Sequence, residues 1–140
     1  IKGGNAQWHA GWAPSWLAGP RALDFVDGMY TAKLLHPRSG CRFSWEVLIG
    51  NAEKMDLKGT SLAVDFVWQD PFTPELNPGM WSKEWFTKLL DVSSPDTTLV
   101  TYSVARAVKN ALDEAGWRHE RFETPGRKRH WLKAKLKNST

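Results

Sequence analysis

The chain predicts an α/β domain: a doubly wound sheet that ends in an antiparallel C-terminal hairpin. Three observations predict it. Two short apolar runs, 61–68 and 97–102, have strand length and fall far short of a membrane span. Each is followed by a stretch of helical period. The residues 118–123 and 130–136 then alternate around Thr124-Pro125-Gly126, as two antiparallel strands joined by a turn do.

The elements follow in order. Trp8, Trp12 and Trp16 stand at i, i+4 spacing and form one stripe if the segment is helical, although Gly11 and Pro14 weaken that helix. The stripe reads as core or interface packing rather than as a stacking platform for bases, and left exposed it would drive self-association. Residues 22–35 read as a weak helix ended by His36-Pro37 and the Ser39-Gly40 turn. Residues 43–49 alternate and then run apolar, predicting a strand, with Gly50-Asn51-Ala52 as the turn after it. A short helix is expected over 53–57. The run 61–68, broken only by Asp65, predicts a strand buried on both faces, with Asp65 at a ladder end or paired with a basic residue.

Ser82 is placed to cap a helix running to about residue 90, where Glu84, Trp85, Phe86 and Leu89 show helical period. Residues 97–102 predict the next buried strand. Ser103 is expected to cap a helix that ends at Gly116. On this reading residues 1–42 form an N-terminal helical or irregular segment, and 43–140 an α/β domain.

Composition narrows the function. At 140 residues the chain is one domain or part of one, and 41% apolar content with nine Trp supports a core. No secretory signal is visible. The single cysteine, Cys41, excludes an internal disulfide and fits a reducing compartment, so a cytoplasmic location is expected. The four histidines are scattered without ligand spacing, and no metal site is expected. The net charge is only +4, but Arg118, Arg121, Arg127, Lys128, Arg129, Lys133, Lys135 and Lys137 crowd the C-terminal hairpin. Such a cluster is the footprint of a polyanion binder, or alternatively a lysine-protected sheet edge.

The chemistry centres on Val64-Asp65-Phe66-Val67-Trp68-Gln69-Asp70-Pro71-Phe72, an apolar strand that stops abruptly in Asp-Pro-Phe. In open α/β sheets ligands sit beyond the carboxyl ends of the strands, so Asp70 is placed to meet a substrate. Asp-Pro is also an ordinary turn former. Asp70-Pro71-Phe72 resembles the Asp/Asn-Pro-Pro-Tyr/Phe loop of methyltransferases acting on amino nitrogens. Together with Thr73-Pro74, Asn77-Pro78 and Met80-Trp81 it resembles the loop in the methyltransferase domain of MnmC-type tRNA-modification enzymes. Thr98-Leu99-Val100-Thr101-Tyr102-Ser103, then Leu112-Asp113-Glu114-Ala115-Gly116-Trp117, and Gly126-Arg127-Lys128-Arg129 resemble further segments of that family, in the same order. The likeness runs from about residue 43 to 136.

The resemblance implies a class I methyltransferase-like (Rossmann-like) fold, S-adenosylmethionine as cofactor and aminomethyl-uridine in tRNA as substrate. It implies Asp70 as the group that holds or deprotonates the amine. Pro71, Phe72, Asn77 and Trp81 would shape the loop and wall the uridine, and Arg127, Lys128 and Arg129 would hold phosphates. Gly50, Asn51 and Ala52 stand where such folds place Gly-Asp-Ala against the adenine, with Asn replacing the acid.

No Gly-x-Gly-x-Gly follows a strand in this sequence. The expectation is a substrate-side half, a fragment or diverged form, that holds the cofactor weakly by itself. A non-catalytic RNA-binding or partner-binding module on the same sheet is the alternative.

Overall fold

The computed structural model of the protein describes residues 24–26, 29–35, 39–48, 50–59, 63–123 and 130–137. The tryptophan stripe at Trp8, Trp12 and Trp16, the Thr124-Pro125-Gly126 turn and Arg127, Lys128 and Arg129 lie outside the described residues. The chain divides into two compact units after Gly50.

The first unit holds an antiparallel three-stranded sheet in the order β1-β2-β3, with β1 at Asp24–Val26, β2 at Met29–Leu35 and β3 at Arg42–Leu48. The weak helix expected over 22–35 is therefore corrected to two strands. Ala, Lys and Leu there favour helix locally, but a seven-residue ladder from Met29↔Leu48 to Leu35↔Arg42 overrides that preference. Gly40 makes the turn between β2 and β3 possible, since its φ of 69° is one that side-chain-bearing residues avoid. The strand expected at 43–49 is present as β3, within this antiparallel sheet.

The second unit carries a four-stranded sheet in the order β4-β5-β7-β6. Here β4 is Val64–Gln69, β5 is Ser93–Thr101, β6 is Trp117–Glu123 and β7 is His130–Leu136. β4 and β5 are parallel, and helix α1 (Lys83–Asp91) lies between them in sequence. Helix α2 (Arg106–Glu114) connects β5 to β6, and β6 returns through β7 as the expected antiparallel hairpin. β7 also pairs antiparallel with β5, so the hairpin completes the sheet.

One face of this sheet carries the core. Val67, Leu99, Ala134 and Leu132 lie on it, and Trp85, Phe86 and Leu89 of α1 and Val108 and Leu112 of α2 pack there. Phe86, Leu99, Val108, Leu112 and Trp117 are fully buried. Ser82 caps α1 as expected, its hydroxyl accepting from the Trp85 N–H at 3.2 Å. Glu84 in the first turn is held below the usual carboxylate range by its own backbone N–H and then by the Ser82 hydroxyl. α2 closes on Gly116, whose φ is 97°.

Two expectations need correction. β4 is not buried on both faces: Phe66 and Trp68 are 53% and 63% exposed, on the face opposite the helices, where Trp68 and Trp131 meet in a T-shaped pair at 5.9 Å. Ser103 does not cap α2. The N-cap is Ala105, without a side-chain bond, while Ser103 is buried and its N–H reaches the Thr101 hydroxyl at 3.4 Å. Asp65, expected at a ladder end or beside a basic residue, makes no ion pair among the described residues. It sits where the β4–β5 register shifts, and it accepts from the Ser94 hydroxyl at 2.8 Å.

Candidate active site

The loop at the carboxyl end of β4 is built from its first residue. Gln69 closes the strand on the core face, and its side chain is 3% exposed. A buried carboxamide must be paired, and this one is paired at both ends. Its Nε2 donates to the Met80 carbonyl at 2.6 Å, and its Oε1 accepts from the Trp85 indole at 3.1 Å. The amide thus joins the strand end to the far end of the loop and to α1.

Between those points the chain turns outward. Asp70 is exposed, Pro71 half-buried, and Phe72 and Leu76 are 74% and 71% exposed. The backbone is tied inward. The Tyr102 hydroxyl, at the neighbouring end of β5, donates to the Pro71 carbonyl at 3.0 Å. The Trp81 indole donates to the Phe72 carbonyl at 2.8 Å. The amides of Leu76 and Asn77 both return to the Thr73 carbonyl, and Met80 N–H reaches Asn77.

Asn77 enters the loop's bonding through its backbone, while its side chain makes no capping bond to the 3-10 turn Pro78–Trp81. Trp81 differs from the expectation of a wall for a planar ring. It is 4% exposed, edge-on to Tyr102 at 5.7 Å and 88°, and it acts inside the core as a strut beneath Phe72.

The electrostatics converge on Tyr102. Burial pushes its phenol above the ordinary range, and the negative charges of Asp70 and then Glu75 push it further the same way. Glu75 is held below the usual carboxylate range by its own backbone N–H and by the Thr73 hydroxyl. Two carboxylates and an exposed aromatic ring thus stand together at the ends of the parallel strand pair. Gln69, Glu75 and Tyr102 are absent from the residues expected on sequence. A polar residue ending an apolar strand run was the visible signal for Gln69.

The segment expected to meet the adenine is split by the fold. Gly50 ends the first unit in an exposed bend, and Asn51 and Ala52 open the second. Asn51 caps the 3-10 turn Ala52–Lys54, its side-chain oxygen accepting from the Glu53 N–H at 3.0 Å. Ala52 is half-buried against the core. The Glu53 carboxylate packs directly on Gly79, leaving no space there for a Cβ, and Lys88 holds the Glu53 carbonyl. This turn therefore lies beside the Asp70–Trp81 loop.

On the hairpin, Arg118 and Arg121 are exposed. Lys133 pairs with Glu120 at 3.3 Å, and Lys135 and Lys137 bond the carbonyls of Asp96 and Asp113. Among the described residues no group of three His, Cys, Asp or Glu is placed to hold a metal ion, and no helix is long and apolar enough to cross a membrane.

Residues 29–137 match a family described as S-adenosyl-L-methionine-dependent methyltransferase. The chain is 34% identical over 109 residues to the tRNA 5-methylaminomethyl-2-thiouridine biosynthesis bifunctional protein MnmC of Leptospira interrogans, covering 78% of this chain. It is 35% identical over 111 residues to the protein of the same name from Pseudomonas paraeruginosa, covering 75% of this chain. In each case it spans only 16% of the relative's length. The crystal structure of MNMC2 from Aquifex aeolicus superposes with a TM-score of 0.60 at 28% identity, over 65% of this chain and 30% of that one. With the parallel β4–α1–β5 unit, the closing hairpin and the family match over most of its length, this Rossmann-like chain belongs to the S-adenosyl-L-methionine-dependent methyltransferases, in the MnmC type.

Proposed function

We propose that this chain forms the substrate-side part of an enzyme that methylates the amino nitrogen of an aminomethyl-uridine in tRNA. The observation that carries the reading is the outward presentation of Asp70 and Phe72 on a loop whose backbone is tied inward at three carbonyls. Phe72 offers an exposed face to a planar base, and Asp70 and Glu75 offer negative charge to an amine beside it.

The cofactor supplies an electrophilic methyl group. Asn51 and Ala52 would hold its adenine. The Asn51 side-chain oxygen is committed to Glu53, so its NH2 group is the part suited to a ring nitrogen. Their turn packs against the loop through Glu53 and Gly79, which supports the reading of one shared site for cofactor and substrate. Asp70 accepts the amine's hydrogens, orients its lone pair, and takes the proton released as the carbon–nitrogen bond forms. Arg127, Lys128 and Arg129 would hold tRNA phosphates. The chain by itself holds the cofactor weakly, because no glycine-rich loop of its own is present in the sequence to embrace ribose and amino-acid tail.

Asp70→Asn tests the reading in the natural polypeptide that contains this chain. It keeps the loop's size but removes the carboxylate. Single-turnover methylation of aminomethyl-uridine tRNA should fall roughly 10²–10⁴-fold with the thermal midpoint unchanged. Near-normal turnover would make Asp70 a turn residue, and failure of the unaltered polypeptide to methylate would return the chain to the non-catalytic RNA-binding alternative.

A further inference from the structure

We infer that Tyr102 is a positioning residue for methyl transfer: its hydroxyl, together with the Trp81 indole, fixes the backbone on both sides of Phe72. The inference rests on the methyltransferase reading above. Tyr102 holds the Pro71 carbonyl at 3.0 Å and Trp81 holds the Phe72 carbonyl at 2.8 Å. These two carbonyls belong to the consecutive peptide planes flanking the Phe72 Cα. A residue has two soft backbone dihedrals, and fixing the planes on either side sets both.

The two anchors are themselves braced, edge to face at 5.7 Å, and Trp81 is buried. Phe72 is therefore 74% exposed on a backbone that is not free to swing. The same anchoring fixes the start of the turn that Asp70 occupies. An exposed ring and carboxylate held in one placement need little ordering when substrate arrives. Desolvation and then the charges of Asp70 and Glu75 push the Tyr102 phenol further above its ordinary range, in the direction of the protonated form that donates to Pro71.

Tyr102→Phe removes the hydroxyl and keeps the ring against Trp81. In the 140-residue chain, amide hydrogen exchange at Leu76, Asn77 and Met80, whose N–H groups bond within the loop, should speed several-fold while α2 and β5 stay protected. In the natural polypeptide, kcat for methylation should fall about five- to tenfold, the kinetic equivalent of one neutral hydrogen bond, with KM for tRNA unchanged. In a Phe72→Ala background the same change should cost almost nothing, because Tyr102 acts through the placement of that ring.

Unchanged loop exchange overturns the inference. So does a Tyr102→Phe loss fully additive with Phe72→Ala, or one that tracks a lowered folded fraction. If the unaltered polypeptide fails to methylate aminomethyl-uridine tRNA, the functional reading falls, and loop exchange alone decides whether Tyr102 holds the loop.

Discussion

Replacing Gln69 tests the way the loop is attached to the core. Its carboxamide is 3% exposed and bonds Met80 at 2.6 Å and Trp85 at 3.1 Å. Gln69→Leu keeps much of the volume but removes both partners. The Met80 carbonyl and the Trp85 indole N–H are then left buried and unpaired, at about 1–3 kcal/mol each. Leucine's own burial returns part of that, so the expected net loss is roughly 2–4 kcal/mol. For a unit of this size the thermal midpoint should drop by about 10–20 °C.

Gln69→Glu sharpens the test. A carboxylate still accepts from Trp85 but cannot donate to Met80, so only its protonated form restores both bonds. Burial beside a carbonyl raises the folded-state pKa of that Glu above its unfolded value of about 4.3. Its stabilising contribution is complete below the unfolded pKa and is lost as pH rises through the folded one. The deficit relative to the unaltered chain should therefore be largest near neutrality and shrink toward about pH 4.5. Thermal melts of the three proteins across that range decide the matter. A Gln69→Leu midpoint within about 3 °C of the original, or a pH-independent Gln69→Glu deficit, would refute the bridging role.

Leu112→Ala, at a fully buried position of α2, should cost about 2–5 kcal/mol in urea unfolding, as cavity-forming substitutions do. Ser82→Ala removes the α1 cap and should cost about 1 kcal/mol. The same change should move the Glu84 carboxyl part of the way back toward its ordinary range, which carboxyl NMR titration reads directly. Neutralising Arg127, Lys128 and Arg129 together should weaken tRNA binding and flatten its log–log salt dependence by up to about 3, while an unchanged slope assigns them to solubility.

Much of the second unit was legible because its cues are local. The apolar run before Asp70, Ser82 ahead of a helical period, and alternation on either side of residues 124–126 each specify an element from within a few residues. What escaped depends on distant partners. The strand β2 has helix-tolerant residues and becomes a strand only by pairing with β3. An apolar run also does not show which of its faces is covered, so Phe66 and Trp68 read the same whether buried or exposed. Asp70 and Phe72 could be found from Asp-Pro-Phe at a strand end. The roles of their supports were harder to read: Gln69, Trp81 and Tyr102 act through hydrogen bonds to carbonyls, and any residue type supplies a carbonyl. Trp81 was visible as part of a motif, but only its burial distinguishes a strut from a stacking surface.

The place of β5 in the sheet sets the order in which the unit can assemble. Leu99 faces Val67 on one side and Ala134 on the other, each about thirty residues away along the chain. Neither ladder can form early, because both require long loops to close first. The β6–β7 hairpin and the two helices are the local structures available to begin with. β5 joins once the hairpin presents β7, and parallel pairing with β4 needs α1 already seated. The Asp70–Trp81 loop, anchored to both β5 and α1, is thus among the last parts to take shape. The strand end that presents Asp70 and Phe72 is therefore complete only after the rest of the unit has folded.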